Sequence, residues 1–280
     1  MSSIPSSTLL DLPYQSMRNT VLTPAVDGEV DGFSQGQKGD CWFLSAVLAL
    51  SQTPEGRDII DESIQAHPDG SYTVTFRGAP DYPITISAKE YAEAKKQRAT
   101  PGEPGWSTGD PDMLILELAA EKLVQAHPEI LPTGKTGTIT RGGEPKDALF
   151  LLTGTPVIYQ ETGAVENTRA FFTRAFLLEN EATLDTTPVI FDAHVKWPSP
   201  YPVEKGTLHS FVLTDIDSEA GTVTFINPWN SKQPITMDMD KFCNLVIRFT
   251  PVAPLDTLSN SSLVPDVSDD GPIVEKEKYY

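Results

Sequence analysis

Cys41 stands in the segment Gln35-Gly36-Gln37-Lys38-Gly39-Asp40-Cys41-Trp42-Phe43-Leu44-Ser45-Ala46, with a glutamine six positions before it. The apolar run that follows reads as a helix with Cys41 in its first turn. A thiol attacks a carbonyl as the thiolate, and a helix N-terminus favours an anion. The glycines give the backbone close access to a substrate. The Gln35 amide and the Cys41 backbone N–H are then placed to hold a developing oxyanion. This half of a site calls for a base and an orienting group elsewhere.

Leu208-His209-Ser210-Phe211-Val212-Leu213-Thr214 reads as a strand. A polar turn over 215–221 and the run Thr222-Val223-Thr224-Phe225-Ile226-Asn227-Pro228-Trp229 complete a hairpin signal. His209 is early on the first strand and Asn227 ends the second, so antiparallel pairing brings them to one end. Of four histidines, His67 and His127 precede prolines at helix exits, and His194 is the rival to His209. His209 is preferred because its strand pairs into Asn227. In this reading Cys41 is the nucleophile, His209 the base and Asn227 the residue that fixes the imidazole tautomer. Trp229 shields the His209–Asn227 bond from water.

These motifs resemble the protease core of calpains, the C2-type peptidases of papain-like fold. Gln-Gly-x-x-Gly-Asp-Cys-Trp-Phe-Leu at 35–44 is similar to the family's cysteine motif. Leu116-Glu117-Leu118-Ala119-Ala120-Glu121-Lys122-Leu123 resembles the helix that follows it, and Asn227-Pro228-Trp229 its asparagine motif. Three positions depart from it: Leu208 and Ser210 flank the histidine where the family has Gly and Ala, and Asn230 replaces a glycine. The resemblance spans about residues 30–250. It implies an α+β, papain-like, two-lobed fold, with a helical N-terminal lobe and an antiparallel-sheet C-terminal lobe. It also implies a cysteine endopeptidase acting on protein substrates through a Cys41–His209–Asn227 triad, with Gln35 in the oxyanion hole. A glutamine deamidase, transglutaminase or acyltransferase would use the same thioester, and a non-catalytic binding module on a protease scaffold is the alternative from another class. Calpain cores hold calcium through backbone oxygens and carboxylates. Asp31 and Glu129 fall only near the corresponding places, so no metal is assigned and no cofactor is required for the chemistry.

Composition narrows the other possibilities. The 280 residues carry 39 acidic and 21 basic side chains, a formal net charge of −18. No basic face suited to phosphates is visible, which argues against a nucleic-acid partner. No apolar run reaches the roughly 18 residues of a membrane span. Two cysteines, Cys41 and Cys243, are too few for a disulfide framework to be the organising principle, and Cys243 reads as a core thiol in a strand. The first residues lack the pattern of a secretory signal, so a cytoplasmic location is the default expectation, with export by a non-cleaved bacterial route the alternative.

The chain divides on composition into a Ser/Thr/Pro-rich arm (1–28), a helical lobe with the nucleophile (29–155), a β-rich lobe with His209 and Asn227 (156–250) and an acidic tail (251–280) expected to be disordered. Helices are expected from Cys41 to about Ser51 and over 88–98, 112–125, 148–152 and 167–180. Strands are expected at 72–76, 83–86, 156–159 and 188–191, in the His209 hairpin and at Cys243.

Overall fold

The run after Cys41 is apolar on every side, and a helix of that kind belongs inside a core. The computed structural model describes residues 26–30, 32–97, 105–133, 137–161, 166–196 and 198–252, and in it all of residues 42–51 are buried in helix α1 (Cys41–Ser51). Thr53-Pro54-Glu55-Gly56 does end α1, but it also starts α2 (Pro54–Ser63), which the sequence reading did not anticipate. The Thr53 hydroxyl accepts from Gly56 N at 3.1 Å, and Pro54 occupies the first helical position, where no N–H is needed. Strands β1 (Ile64–Ala66), β2 (Tyr72–Val74) and β3 (Ile84–Ile86) then form a small antiparallel sheet in that order.

Helix α3 (Ala88–Gln97) follows, then α4 (Pro111–Ala126) and α5 (Pro145–Thr153). Asp110 caps α4 by accepting from Met113 N at 3.0 Å. Gly154, at φ +76°, closes α5 in the left-handed conformation that glycine adopts without penalty.

The second half is a sheet with helices on it. Its elements are β4 (Gln160–Glu161), α6 (Glu166–Asn180), β5 (Val189–Val195), β6 (Pro202–Val203), β7 (Thr207–Asp217), β8 (Thr222–Ile226), β9 (Ile235–Asp238), α7 (Met239–Cys243) and β10 (Val246–Pro251). The order is β4-β10-β5-β7-β8-β9, with β6 paired to β5, and every pairing is antiparallel.

Three expectations change here. Residues 156–159 are not a strand: Ile158 is 85% exposed, and pairing starts only at Gln160. Cys243 ends a short helix rather than lying on a strand, because Asp238 caps α7 by accepting from Lys241 N at 2.9 Å. Cys243 is nonetheless buried, and both cysteines are free. Strand β10 runs through Pro251 and Val252 is buried, while the rest of the expected tail, and the arm up to residue 25, lie outside the described residues.

The chain is thus α+β, with an N-terminal helical region and a C-terminal antiparallel sheet. One core joins α1, α2, α4, α5 and the small sheet. The other lies between the large sheet and helices α6 and α7, with Phe191, Phe211, Phe225 and Phe242 at its centre. Helix α1 packs on β7 and β5, and Ile190, Val212 and Ile226 extend the first core onto the sheet. Two cross-links fasten the approach to Cys41 to the loop after β8. Gln35 N donates to Pro228 O at 2.8 Å, and Ser231 donates to Phe33 O through both its N–H and its hydroxyl. Among the described residues no helix is long and apolar enough to cross a membrane.

Candidate functional site

The register of β7 and β8 places the base and its partner. Val212 pairs with Ile226, so the next residues, Phe211 and Asn227, lie opposite one another. His209 is two residues beyond Phe211 on the same face, a diagonal neighbour of Asn227. The two side chains meet: His209 Nε2 is 2.9 Å from Asn227 Oδ1. The same Oδ1 accepts from Trp229 N at 2.9 Å, and Asn227 Nδ2 donates to Pro200 O at 3.0 Å. These partners fix which end of the amide is oxygen. An oxygen only accepts here, so Nε2 carries the proton and Nδ1 keeps its lone pair. The Trp229 ring covers the pair, 4.7 Å from the imidazole between centroids. His194 pairs with Leu208, so it points to the opposite face from His209.

Cys41 opens α1 at the wall of a cavity of about 410 Å³. The other lining residues are Gln35, Gly36, Gln37, Lys38 and Gly39 from the loop before it, and Thr207, Leu208, His209 and Trp229 from the facing sheet. The structure therefore brings four of the sequence-derived residues, Gln35, Cys41, His209 and Trp229, to one cavity, with Asn227 buried directly behind His209. Trp42 does not reach it. Its indole N–H donates to Ile139 O at 3.0 Å, and a Cβ on Gly143 would sit 2.4 Å from its ring. Gly36 lines the cavity and is also required by packing, since a Cβ there would lie 1.8 Å from Gly105 O.

The proton affinities differ from the expectation of a helix-stabilised thiolate. Burial pushes the Cys41 thiol up to about 12. A hydrogen bond from the Ser210 backbone N–H opposes this, and the charges of Asp192 and Asp40 add to it. The helix-end field is worth about 0.3–1 kcal/mol, against about 1.4 kcal/mol per pKa unit, so burial wins. Burial also takes His209 down to about 4, opposed by its bond to Asn227. At neutral pH the resting pair is a neutral thiol and a neutral imidazole.

Gln35 also differs from expectation. Its Nε2 donates to Lys38 O at 2.8 Å and to Asp40 Oδ1 at 3.0 Å, which occupies both amide hydrogens. Asp40 precedes α1 in the capping position, yet its side chain caps nothing and is wholly buried. It faces Glu117 of α4, also wholly buried, whose Oε2 accepts from the Ser107 N–H and hydroxyl at 2.8 and 2.6 Å.

A third buried acid sits under the β7 side of the cavity. Asp192 of β5 accepts from the Ser210 hydroxyl at 2.5 Å and from Arg248 Nε, and Arg248 pairs with Glu144 at 2.9 Å. The serine that departs from the family pattern at 210 is thus the partner of a charged residue. Sequence reading missed Asp40, Glu117 and Asp192. Each is a single acid bordering or interrupting an apolar run, and that was the available signal.

Asp31 lies outside the described residues. Glu129 is exposed and 3.3 Å from His127 Nδ1, away from the cavity. No cluster of three or more His, Cys, Asp or Glu suited to a metal occurs among the described residues. No protein-family model matches the sequence, and comparison with curated proteins finds no match.

Proposed function

We propose that this protein is a cysteine endopeptidase of the calpain-like, papain-fold type, acting on protein substrates without a cofactor. The reading is carried by one observation: half-buried Cys41 and buried His209 line the same cavity, and His209 is held in a single tautomer by Asn227.

His209 Nδ1 takes the proton from the Cys41 thiol as sulfur attacks the peptide carbonyl carbon. The C=O electron pair moves onto oxygen, where the Cys41 N–H stabilises the charge. Gln35 contributes by turning one amide hydrogen from Lys38 or Asp40 to the oxyanion as it forms. The imidazolium gives its proton to the leaving nitrogen, the C–N bond breaks, and a thioester remains. Water then attacks, losing a proton to His209, and the sulfur leaves and is reprotonated from the imidazolium. Because the resting pair is neutral, proton transfer belongs to the attack rather than preceding it.

The test is hydrolysis of casein by the parent, Cys41→Ala and His209→Ala, with products read by mass spectrometry. New peptide termini that depend on Cys41 support the reading. Glutamine-to-glutamate conversion without new termini replaces it with deamidation. No Cys41-dependent product of either kind overturns it.

A further inference from the structure

Two wholly buried carboxyl groups, Asp40 and Glu117, meet beneath Gln35. Asp40 Oδ1 takes the Gln35 amide and Glu117 Oε2 takes Ser107, while Asp40 Oδ2 and Glu117 Oε1 have no other partner. A buried acceptor left without a donor is costly, and because the two carboxyl groups lie within hydrogen-bond reach of each other, one shared proton relieves that cost.

We propose that Asp40 and Glu117 are positioning residues for the reaction, a proton-sharing carboxyl pair in which protonated Glu117 donates to Asp40 and so keeps Asp40 as the acceptor that orients the Gln35 amide at the cavity wall. The inference deepens the peptidase reading and rests on it. The electrostatics agree with the geometry. Burial and the neighbouring carboxylate hold Glu117 well above the usual carboxyl range, and burial also raises Asp40, against the pull of its hydrogen bonds to Glu117 and Gln35 and of the Lys38 charge. With the proton on Glu117, one negative charge stays on Asp40, delocalised towards Gln35. Lys38 ties the arrangement to the cavity, since its carbonyl is the second acceptor for Gln35 and its ammonium sits 3.7 Å from the centre of the Trp106 ring.

Glu117→Gln is isosteric with a protonated Glu117. Its N–H can donate to Asp40 while its oxygen accepts from Ser107. Glu117→Ala removes both. The full chain carrying each variant is compared with the parent by casein hydrolysis, by the NMR signals of the Gln35 side-chain amide and by the carboxylic-acid infrared band near neutral pH. Thermal melting and Cys41 alkylation check that fold and thiol are unchanged. Glu117→Gln is expected to retain turnover, keep the parental amide signals and lose one protonated-carboxyl band. Glu117→Ala is expected to move the amide signals and lower kcat roughly 10- to 100-fold with KM little changed, short of the 10²–10³ that losing one oxyanion donor costs.

Parental kcat in a folded Glu117→Ala, or no band lost in Glu117→Gln, overturns the proposal while leaving the peptidase reading intact. Amide signals that follow the expected pattern in a protein with no Cys41-dependent turnover sink the peptidase reading, and the catalytic role of the pair with it. They leave the shared proton standing.

Discussion

Asn227 holds His209 and is itself held: its Oδ1 lies 2.9 Å from the imidazole Nε2, and its own amide is pinned by Trp229 N and Pro200 O. A turn residue and an orienting residue are one side chain here, because capping the short 3₁₀ turn at 228–230 aims the oxygen that the imidazole needs. Asn227→Ala removes that oxygen from both partners. It is expected to cost about 1–3 kcal/mol in the transition state, roughly 5- to 150-fold in kcat. Asn227→Asp keeps an acceptor and is expected to retain more activity. Steady-state kinetics on casein-derived peptides measure both, and an Asn227→Ala enzyme with parental kcat excludes the orienting role.

The neutral resting pair has a pH signature. With the thiol near 12 and the imidazole near 4, neither group titrates around neutrality. Alkylation of Cys41 is expected to speed up about tenfold per pH unit into the alkaline range, following the thiolate fraction, with no plateau near neutral pH. The acid limb of kcat/KM, which reports the free enzyme's base, is expected near 4 rather than near the ordinary 6.5. A flat, fast alkylation profile from acid to neutral pH would mean a preformed thiolate–imidazolium pair instead.

Asp192 affects this balance from below. Its charge raises the Cys41 thiol, and Ser210, which it holds, donates its backbone N–H to the sulfur. Asp192→Asn is expected to bring the thiol down and accelerate alkylation at a fixed alkaline pH. Arg248→Ala leaves Asp192 buried without its main counter-charge, so it should cost about 3–5 kcal/mol of stability and slow alkylation. Urea unfolding and iodoacetamide kinetics on the two variants should move in opposite directions for reactivity. If both variants react at the parental rate, Asp192 has no hold on the sulfur.

The parts of this architecture that follow local patterns were legible in the sequence. The α1 start at Cys41, helix α4 and the β7–β8 hairpin come from periodicity and turn residues, although α4 is buried without a break from Asp112 to Glu121 rather than on one face, and the hairpin register carries His209 to Asn227. Helix α2 was hidden because Thr-Pro signals a stop and a start equally well. Strand β9, of four residues, is too short to show a period. The buried acids were out of reach for another reason. Asp40 and Glu117 are separated by most of the helical region, as Asp192 and Arg248 are by much of the sheet, and pairing of that kind is decided by packing rather than by neighbours in sequence. The resting partners of Gln35 were out of reach on the same ground, since the spacing to Cys41 does not reveal that its amide donates to Asp40 and Lys38 O.

Asp112, remote from the cavity, provides a test of the fold's electrostatics that is independent of any activity. It is buried at the start of α4, where the Asp27 and Gly28 N–H groups donate to its Oδ2 at 3.1 and 2.9 Å, fastening the entering chain to the helix. Burial pushes its carboxyl up to about 7, those two hydrogen bonds oppose the rise, and the nearby Asp110 and Asp27 charges add to it. An unfolded Asp112 releases its proton near 3.8, and the folded one keeps it to about 7. Between those values the folded state binds more protons, so this group's contribution is complete below 3.8 and is lost as pH rises through 7. Each unit is worth on the order of 1.4 kcal/mol. Asp112→Asn retains an acceptor for both N–H groups and cannot ionise. Its urea midpoint is therefore expected to fall less steeply than the parent's between acid and neutral pH, and to exceed the parent's above 7. Parallel profiles for the two proteins would show that Asp112 titrates as it does in the unfolded chain.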